Sequence, residues 1–287
     1  MRLIPGDPAA AIAGLTATAE QLEQLRQDLG LNEPFVVQLA KWYGGLIQGD
    51  LGRSILMGQD VLEVTMIRLP VTIALSLYAL VLTLVLGLTS GIIAALRQNT
   101  VVDQLTMVLA MIGISVPNFF LGLLMILLFA VYLGWLPTGG YISLWDDPVG
   151  WLRTSTMPAL SLALLQMGLL ARITRSTMLE VLRQDYIRTA RAKGLSAVRV
   201  VAKHAMRNAM IPPLTLLGIQ FALLIGGAVV TETVFARPGI GKLLVQAVLE
   251  KDFPVVQGIV VMTTGVYVLI NVLIDIAYGI IDPRVQG

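Results

Sequence analysis

Residues able to do acid–base, nucleophilic or metal chemistry are scarce in this 287-residue chain and do not cluster. There is one histidine, His204, and no cysteine. That excludes a disulfide scaffold, thiolate-bound zinc, iron–sulfur clusters and a thiol nucleophile, and it leaves little for a histidine metal site or a Ser-His-Asp triad. Asp275 is a carboxylate inside a long apolar run, by default a functional candidate. It lies about 20 residues after Val255, however, which is about 30 Å of helix and one hydrocarbon thickness. The spacing places it near a headgroup layer, with a helix-packing role. No phosphate loop is present: Gly241-Lys242 is followed by Leu243, and the position five before Gly241 is Ala236, against the Gly-x-x-x-x-Gly-Lys-[Ser/Thr] that cradles a nucleotide. An intramembrane hydrolase or transferase needs paired carboxylates, or a serine with a histidine, at one depth; a single Asp near an edge does not supply them.

What the chain does concentrate is positive charge. From Arg172 to Arg207 there are nine basic residues against two acids, Glu180 and Asp185. The elements that carry this segment are set by composition: 56% of residues are hydrophobic, 13% are charged and the mean hydropathy is +0.80. An average soluble domain is about 25% charged, so half the polar surface needed to clothe a globule is missing, and the chain reads as a membrane protein. Its net charge of +2 gives no sign of nucleic-acid binding. Five uncharged or nearly uncharged windows can cross the bilayer: about 69–96, 104–133, 154–171, 208–231 and 255–281. Their length and unbroken apolar character predict helices, which satisfy their own backbone groups in lipid. The fold class is therefore an all-α polytopic helix bundle.

Basic loops stay in the cytoplasm, which makes 172–207 a cytoplasmic loop. Alternation then puts 97–103 and the carboxy terminus inside, 134–153 and 232–254 outside, and residues 1–68 outside as an extracytoplasmic segment preceding the transmembrane domain of 69–287. Within that segment Thr18 to Leu29 has helical spacing with Gly30 as its stop, and Asn32-Glu33-Pro34 opens a second helix through about Leu46. A translocated amino-terminal segment without a signal peptide leads to the expectation that a span precedes it, giving six in the complete protein.

Within the basic loop, Ala190, Ala192 and Gly194 are small enough to let a partner's backbone approach, Gly194 permits the positive φ that ends a helix, and Ser196 is placed to cap the next. The surrounding Arg and Lys can face acidic groups of a partner or anionic lipid, although topology alone makes a cytoplasmic loop basic. Pro117 deletes a donor within the second span, so Ser115, Pro117 and Asn118 are expected at a kink, a candidate lining of a pathway. Pro238, Gly239 and Gly241 fall in the outer loop before the last span, either as a hairpin gate or as a plain turn. Gly87, Gly91, Ala94 and Ala95, with Gly226, Gly227 and Ala228, are small residues of the kind that let membrane helices pack closely.

The run Asp185-Tyr186-Ile187-Arg188-Thr189-Ala190-Arg191-Ala192-Lys193-Gly194-Leu195, followed by Lys203-His204-Ala205-Met206-Arg207-Asn208-Ala209-Met210-Ile211-Pro212, resembles the cytoplasmic loop of permease subunits of bacterial ATP-binding-cassette importers. The likeness is to the dipeptide, oligopeptide, nickel and glutathione class. It extends over essentially the whole chain through Leu3-Ile4-Pro5-Gly6-Asp7-Pro8, which in the family follows the first membrane helix, Gly49-Asp50-Leu51-Gly52-Arg53-Ser54, Pro238-Gly239-Ile240-Gly241-Lys242-Leu243-Leu244 and Asp282-Pro283-Arg284. Arg188-Thr189-Ala190 stands where other permeases have Glu-Ala-Ala, and His204-Ala205-Met206-Arg207 replaces their Ile-x-Leu-Pro, a pattern typical of the peptide class. The resemblance implies a subunit of the bacterial inner membrane that binds no cofactor of its own. It implies a second homologous permease, two ATPase subunits that use the ATP, and an extracytoplasmic substrate-binding protein as partners, with Arg188, Thr189, Ala190, Ala192, Lys193, Gly194, Lys203 and His204 at the ATPase contact. A stand-alone secondary transporter or channel is the alternative; it would show internal repeats or a midplane ion site, and neither is evident.

Overall fold

The structure, a computed structural model, describes Ala9, residues 18–28 and residues 30–281. The Leu3–Pro8 and Asp282–Arg284 motifs and the side chain of Asp275 lie outside the described residues. Among the described residues every regular element is helical: α1 (Ala19–Asp28), α2 (Phe35–Ile47), α3 (Val61–Leu96), α4 (Val101–Ser115), α5 (Asn118–Met125, continuing as a π-helix over Ile126–Tyr132), α6 (Pro148–Leu182), α7 (Asp185–Ala192), α8 (Ala197–Arg199, continuing as a π-helix over Val200–Ala205), α9 (Met206–Ala209), α10 (Ile211–Val234), α11 (Ile240–Leu249) and α12 (Phe253–Ile281). The described residues fall into two compact units, one made of those up to Pro70 with Lys242–Leu269, the other of Val71–Gly241 with those from Ile270 onward.

In the first unit α1 opens on a reciprocal cap: Gln21 N–H donates to Thr18 Oγ1 (3.3 Å) and Thr18 N–H to Gln21 Oε1 (3.1 Å), which satisfies two otherwise orphaned amides. Its end is a Schellman turn through Gly30 (φ +64°), with Gly30 N–H to Gln27 O and Leu31 N–H to Arg26 O, both 2.9 Å. The Gly49–Ser54 motif is an anchor. Asp252 accepts from Ser54 Oγ (2.5 Å), Ile55 N–H (3.3 Å) and Leu56 N–H (3.4 Å), and Val61 N–H donates to Gly52 O (3.0 Å). A side chain on Gly258 of α12 would strike Val61.

The second unit is held by backbones in close approach. A Cβ on Gly91 of α3 would overlap Ala171 O and Thr174 of α6; one on Gly113 of α4 would meet Leu164 O, and one on Gly168 of α6 would meet Ala110 O. Leu75 and Ala79 (α3), Ala159, Leu162 and Ala163 (α6) and Leu224 and Ala228 (α10) form one buried cluster. Where α4 begins, Arg175 Nε and Nη2 donate to the two oxygens of the buried Asp103 (2.5 and 2.7 Å), which also accepts from Asn99 N–H (2.9 Å). Bidentate geometry with a third donor is what a buried carboxylate requires.

Among the described residues four helices are long and apolar enough to span a membrane, or five counting α4 and α5 as one bent span. Three expectations change in extent: the window 69–96 is the later part of α3, which begins at Val61. Residues 154–171 are only the apolar middle of a 35-residue helix, about 52 Å long, because a helix does not stop where the hydrocarbon does; the basic loop accordingly begins at Arg183. At Pro117 the expected kink is a break of 108°. Proline lacks the N–H that would continue α4 and forces the residue before it out of the helical region: Val116 is extended (φ −94°, ψ 129°).

Gly91→Leu and Gly168→Leu each force overpacking costing about 1–3 kcal/mol, and the thermal midpoint of the detergent-solubilised protein should fall. Gly226→Ala, where an added Cβ meets nothing within 4 Å, should leave the midpoint unchanged or slightly raised.

Candidate functional site

The helix α7 is amphipathic at short range. Ile187 and Ala190 are buried against Ala95 at the end of α3, Met178 near the end of α6, and Val200, Ala205 and Ala209 from the segment that follows. Arg188, Thr189, Arg191, Ala192, Lys193 and Gly194 face outward, as does Lys203, while His204 is half-buried. The expectation that Ala190 leaves room for a partner is corrected: its methyl turns inward, and its small size serves the packing of α7 onto its own bundle. Ala192 and Gly194 do keep an open outer face, and a Cβ built on Gly194 meets nothing within 4 Å.

The turn after α7 is fixed by the chain itself. Gly194 (φ +78°) donates to Arg191 O (2.9 Å) and Leu195 N–H to Ala190 O (3.4 Å), the two bonds of a Schellman motif. Ser196 takes the N-cap position of α8, but its hydroxyl makes no capping bond; its carbonyl instead accepts from Val200 N–H (3.0 Å). Asn208 Nδ2 donates to Tyr186 Oη (2.9 Å), tying the start of α7 to α9. The result is a small platform with an anchored inner face and a cationic outer one.

At the broken span, Ser115 and Pro117 are exposed and Asn118 is half-buried. A Cβ on Gly227 of α10 would come to 3.3 Å from Asn118 Nδ2, so Asn118 faces α10. The Pro238–Gly241 stretch is clasped. Gly239 and Gly241 are buried with their Cα atoms against the Glu232 carboxylate and, for Gly241, the Val229 backbone. Thr72 Oγ1 donates to Glu232 Oε1 (2.5 Å) while accepting from Ile240 N–H (2.9 Å). The stretch thus closes over the end of α10 and is tied to the α3 hydroxyl at Thr72.

Arg237 completes the clasp, and sequence reasoning missed it. It is fully buried, as is Glu232. Its Nη1 donates to Thr154 O (3.2 Å), and its guanidinium carbon lies 5.3 Å from the centre of the Tyr141 ring. Burial pushes its pKa down from the ordinary arginine value, while the negative charge of Glu232 and the Tyr141 hydroxyl act to hold it up. The signal was in the sequence: Pro158 sits four residues after Thr154, so the Thr154 carbonyl has no helical N–H to receive, and in a bundle interior another donor must serve it. The chain reaches Arg237 through a strained turn. Ala236 adopts φ +52° in a Schellman ending of α10, with Arg237 N–H donating to Glu232 O (2.8 Å) and Ala236 N–H to Thr233 O (3.3 Å). A second buried contact not foreseen joins α6 and α10, where Gln220 Nε2 donates to Gln166 O (3.1 Å).

Comparison with known proteins adds identity to this geometry. Residues 87–287 match the family described as binding-protein-dependent transport system inner membrane component, and residues 1–76 match the family of its amino-terminal region. A Brucella abortus protein described as a peptide transport system permease is 52% identical over 286 residues, covering 100% of this chain and 91% of its own length. The glutathione transport system permease protein of Escherichia coli is 41% identical over 286 residues, with 100% and 91% covered. The dipeptide transport system permease protein of Alkalihalophilus pseudofirmus is 39% identical over 306 residues, with 100% and 92% covered. Among solved structures, the inward-facing MetNI methionine ABC transporter shares the fold at TM-score 0.60 and 18% identity, over 74% of this chain and 93% of that one.

The Pro158–Arg237 relation predicts a non-additive pair. Arg237→Met orphans Thr154 O and should cost about 1–3 kcal/mol. Pro158→Ala restores a helical N–H to that carbonyl, so the double variant should recover about 1 kcal/mol of the loss. Thermal or denaturant unfolding of the four proteins measures the coupling; strict additivity would mean the carbonyl is not what Arg237 serves.

Proposed function

The chain belongs to the binding-protein-dependent transport system inner membrane component family, and from that premise we propose that it forms half of the pathway of an ATP-driven peptide importer, worked through α7. It is a multi-pass inner-membrane permease subunit of an importer with ATPase and substrate-binding partners. In this reading the pathway is completed by a second, homologous permease, and ATP is bound and hydrolysed by two separate subunits. Cargo arrives on an extracytoplasmic binding protein, and peptides are the cargo class because the relatives in three different bacteria are named for peptides, dipeptides and glutathione. The basic segment from Arg183 to Arg207 and the carboxy terminus are cytoplasmic, and residues 1–68 extracytoplasmic.

The observation that carries the coupling role is the division of α7 into two faces. Ile187 and Ala190 anchor it to the ends of α3 and α6, leaving Arg188, Thr189, Ala192, Lys193 and Gly194 as the surface for an ATPase cleft, with Lys203 and His204 beside it. A cationic face attracts an acidic partner and sets its register. Closure of the ATPase dimer shifts the population between inward and outward states to the extent that ATP and loaded binding protein favour one over the other.

The test is a pair of substitutions at one residue. Gly194→Asn tolerates a positive φ and should keep peptide uptake within about twofold in vesicles with ATPase and binding protein. Gly194→Glu brings opposite charge and bulk into the docking face and should lower ATP-dependent uptake at least about tenfold, with membrane insertion unchanged. Normal uptake by the glutamate variant would refute docking through this turn.

A further inference from the structure

Arg237 spends only one of its nitrogens on Thr154 O. Its Nε and Nη2 are buried and have no hydrogen-bond partner among the described residues. These are the two nitrogens that form the side-on fork of a guanidinium, the pair with which Arg175 holds both oxygens of Asp103 in the same unit. On the helix that Arg237 contacts, Trp151 Nε1 and Ser155 Oγ, one turn before Thr154 and one residue after it, are likewise buried without partners. Arginine nitrogens can only donate, so both nitrogens of the fork lack acceptors among the described residues.

Unsatisfied donors in a low-dielectric interior are costly and call for an acceptor, whether water or ligand. Glu232 does not fill that role: its carboxylate is held by Thr72 and lies against Gly239, and no ion pair joins it to Arg237 among the described residues. Tyr141 covers the guanidinium with its ring and is itself 36% exposed, on a loop whose neighbouring Gly140 has open space beside its Cα.

We infer that the buried fork of Arg237, with Tyr141 as its lid, is a carboxylate-binding site. Two parallel N–H groups match the two oxygens of a carboxylate, and the ring face packs the cation from the side not used by ligand. The carboxylate comes either from a small free acid or from the carboxyl terminus of a peptide; only the second source rests on the importer reading.

The site is tested by binding alone, on the purified permease with its ATPase partners in nanodiscs, without transport. The probes are acetate, dialanine and dialaninamide, read by intrinsic tryptophan fluorescence and by thermal midpoint. Acetate should bind the unaltered protein and bind at least about tenfold more weakly to Arg237→Gln. Because Arg237→Gln also orphans Thr154 O, the double variant Pro158→Ala/Arg237→Gln, in which that carbonyl is satisfied, is measured beside it and should show the same loss. Tyr141→Ala should speed association while leaving the fork in place. Dialanine binding more tightly than acetate, with dialaninamide failing, assigns the site to the peptide terminus; equal binding of acetate and dialanine assigns it to free acids. Equal acetate affinity in the unaltered and Arg237 variants, or equal affinity for dialanine and its amide, would overturn the proposal. Peptide uptake by the full importer, measured separately, decides the importer reading independently of that result.

Discussion

Helix backbones touch in this bundle because glycine removes what would stand between them. Lipid tails are as apolar as leucine, so no hydrophobic gain draws two membrane helices together, and association rests on van der Waals contact and interhelical hydrogen bonds. Gly91 against Ala171 O, Gly113 against Leu164 O and Gly168 against Ala110 O fix α3, α4 and α6 at distances no larger residue permits. With the backbones that near, the buried layer of Leu75, Ala79, Ala159, Leu162 and Leu224 has little freedom to repack, and the polar contacts at its ends are held at hydrogen-bond length.

Those contacts answer a second constraint, that backbone groups away from water need partners within the protein. Proline breaks the rule in a helix interior, and Pro117 and Pro158 are resolved in different ways. At Pro117 the helix ends and a new one begins at 108°. At Pro158 the helix continues through Leu182, and Arg237 supplies Thr154 O with the donor that the ring removed. The backbone bears some of that solution as strain, since Ala236 sits at positive φ immediately before the arginine. A non-glycine residue there costs about 1–2 kcal/mol, which the hydrogen bonds of Arg237 and Glu232 offset.

Apolar windows showed where the candidate spans lie in the sequence because hydropathy reports what lipid demands. They did not show that α3 and α6 run 36 and 35 residues, since helical bonding continues outside the hydrocarbon, where charge no longer discriminates. The stop at Gly30, the entry at Pro34 and the turn at Gly194 were local signals and were legible as such. Ala190 was misplaced because a small residue reads alike whether it makes room for a partner or for its own core; only the neighbouring Met178 and Ala95 decide between them. The clasp was the least legible. Thr72, Thr154, Glu232 and Arg237 lie as much as 165 positions apart, with no periodicity to link them, and only the spacing from Thr154 to Pro158 hinted that a donor was needed.

The two ends of the bundle are joined by the same two helices. Ala95 and Met178 receive α7, and Thr72 and Thr154, on those helices, bind Glu232 and Arg237. From Thr72 to Ala95 and from Thr154 to Met178 is about 35 Å of continuous helix in each case. Close packing at Gly87 and Gly91 against Leu170, Ala171 and Thr174 resists sliding of one helix past the other, which would drive backbone into backbone. In the proposed importer, a push on the outer face of α7 would be carried toward the Pro238–Gly241 clasp along these two helices. Glycine contacts that first serve to hold the helices together would, in that reading, also let a displacement at one end be felt at the other.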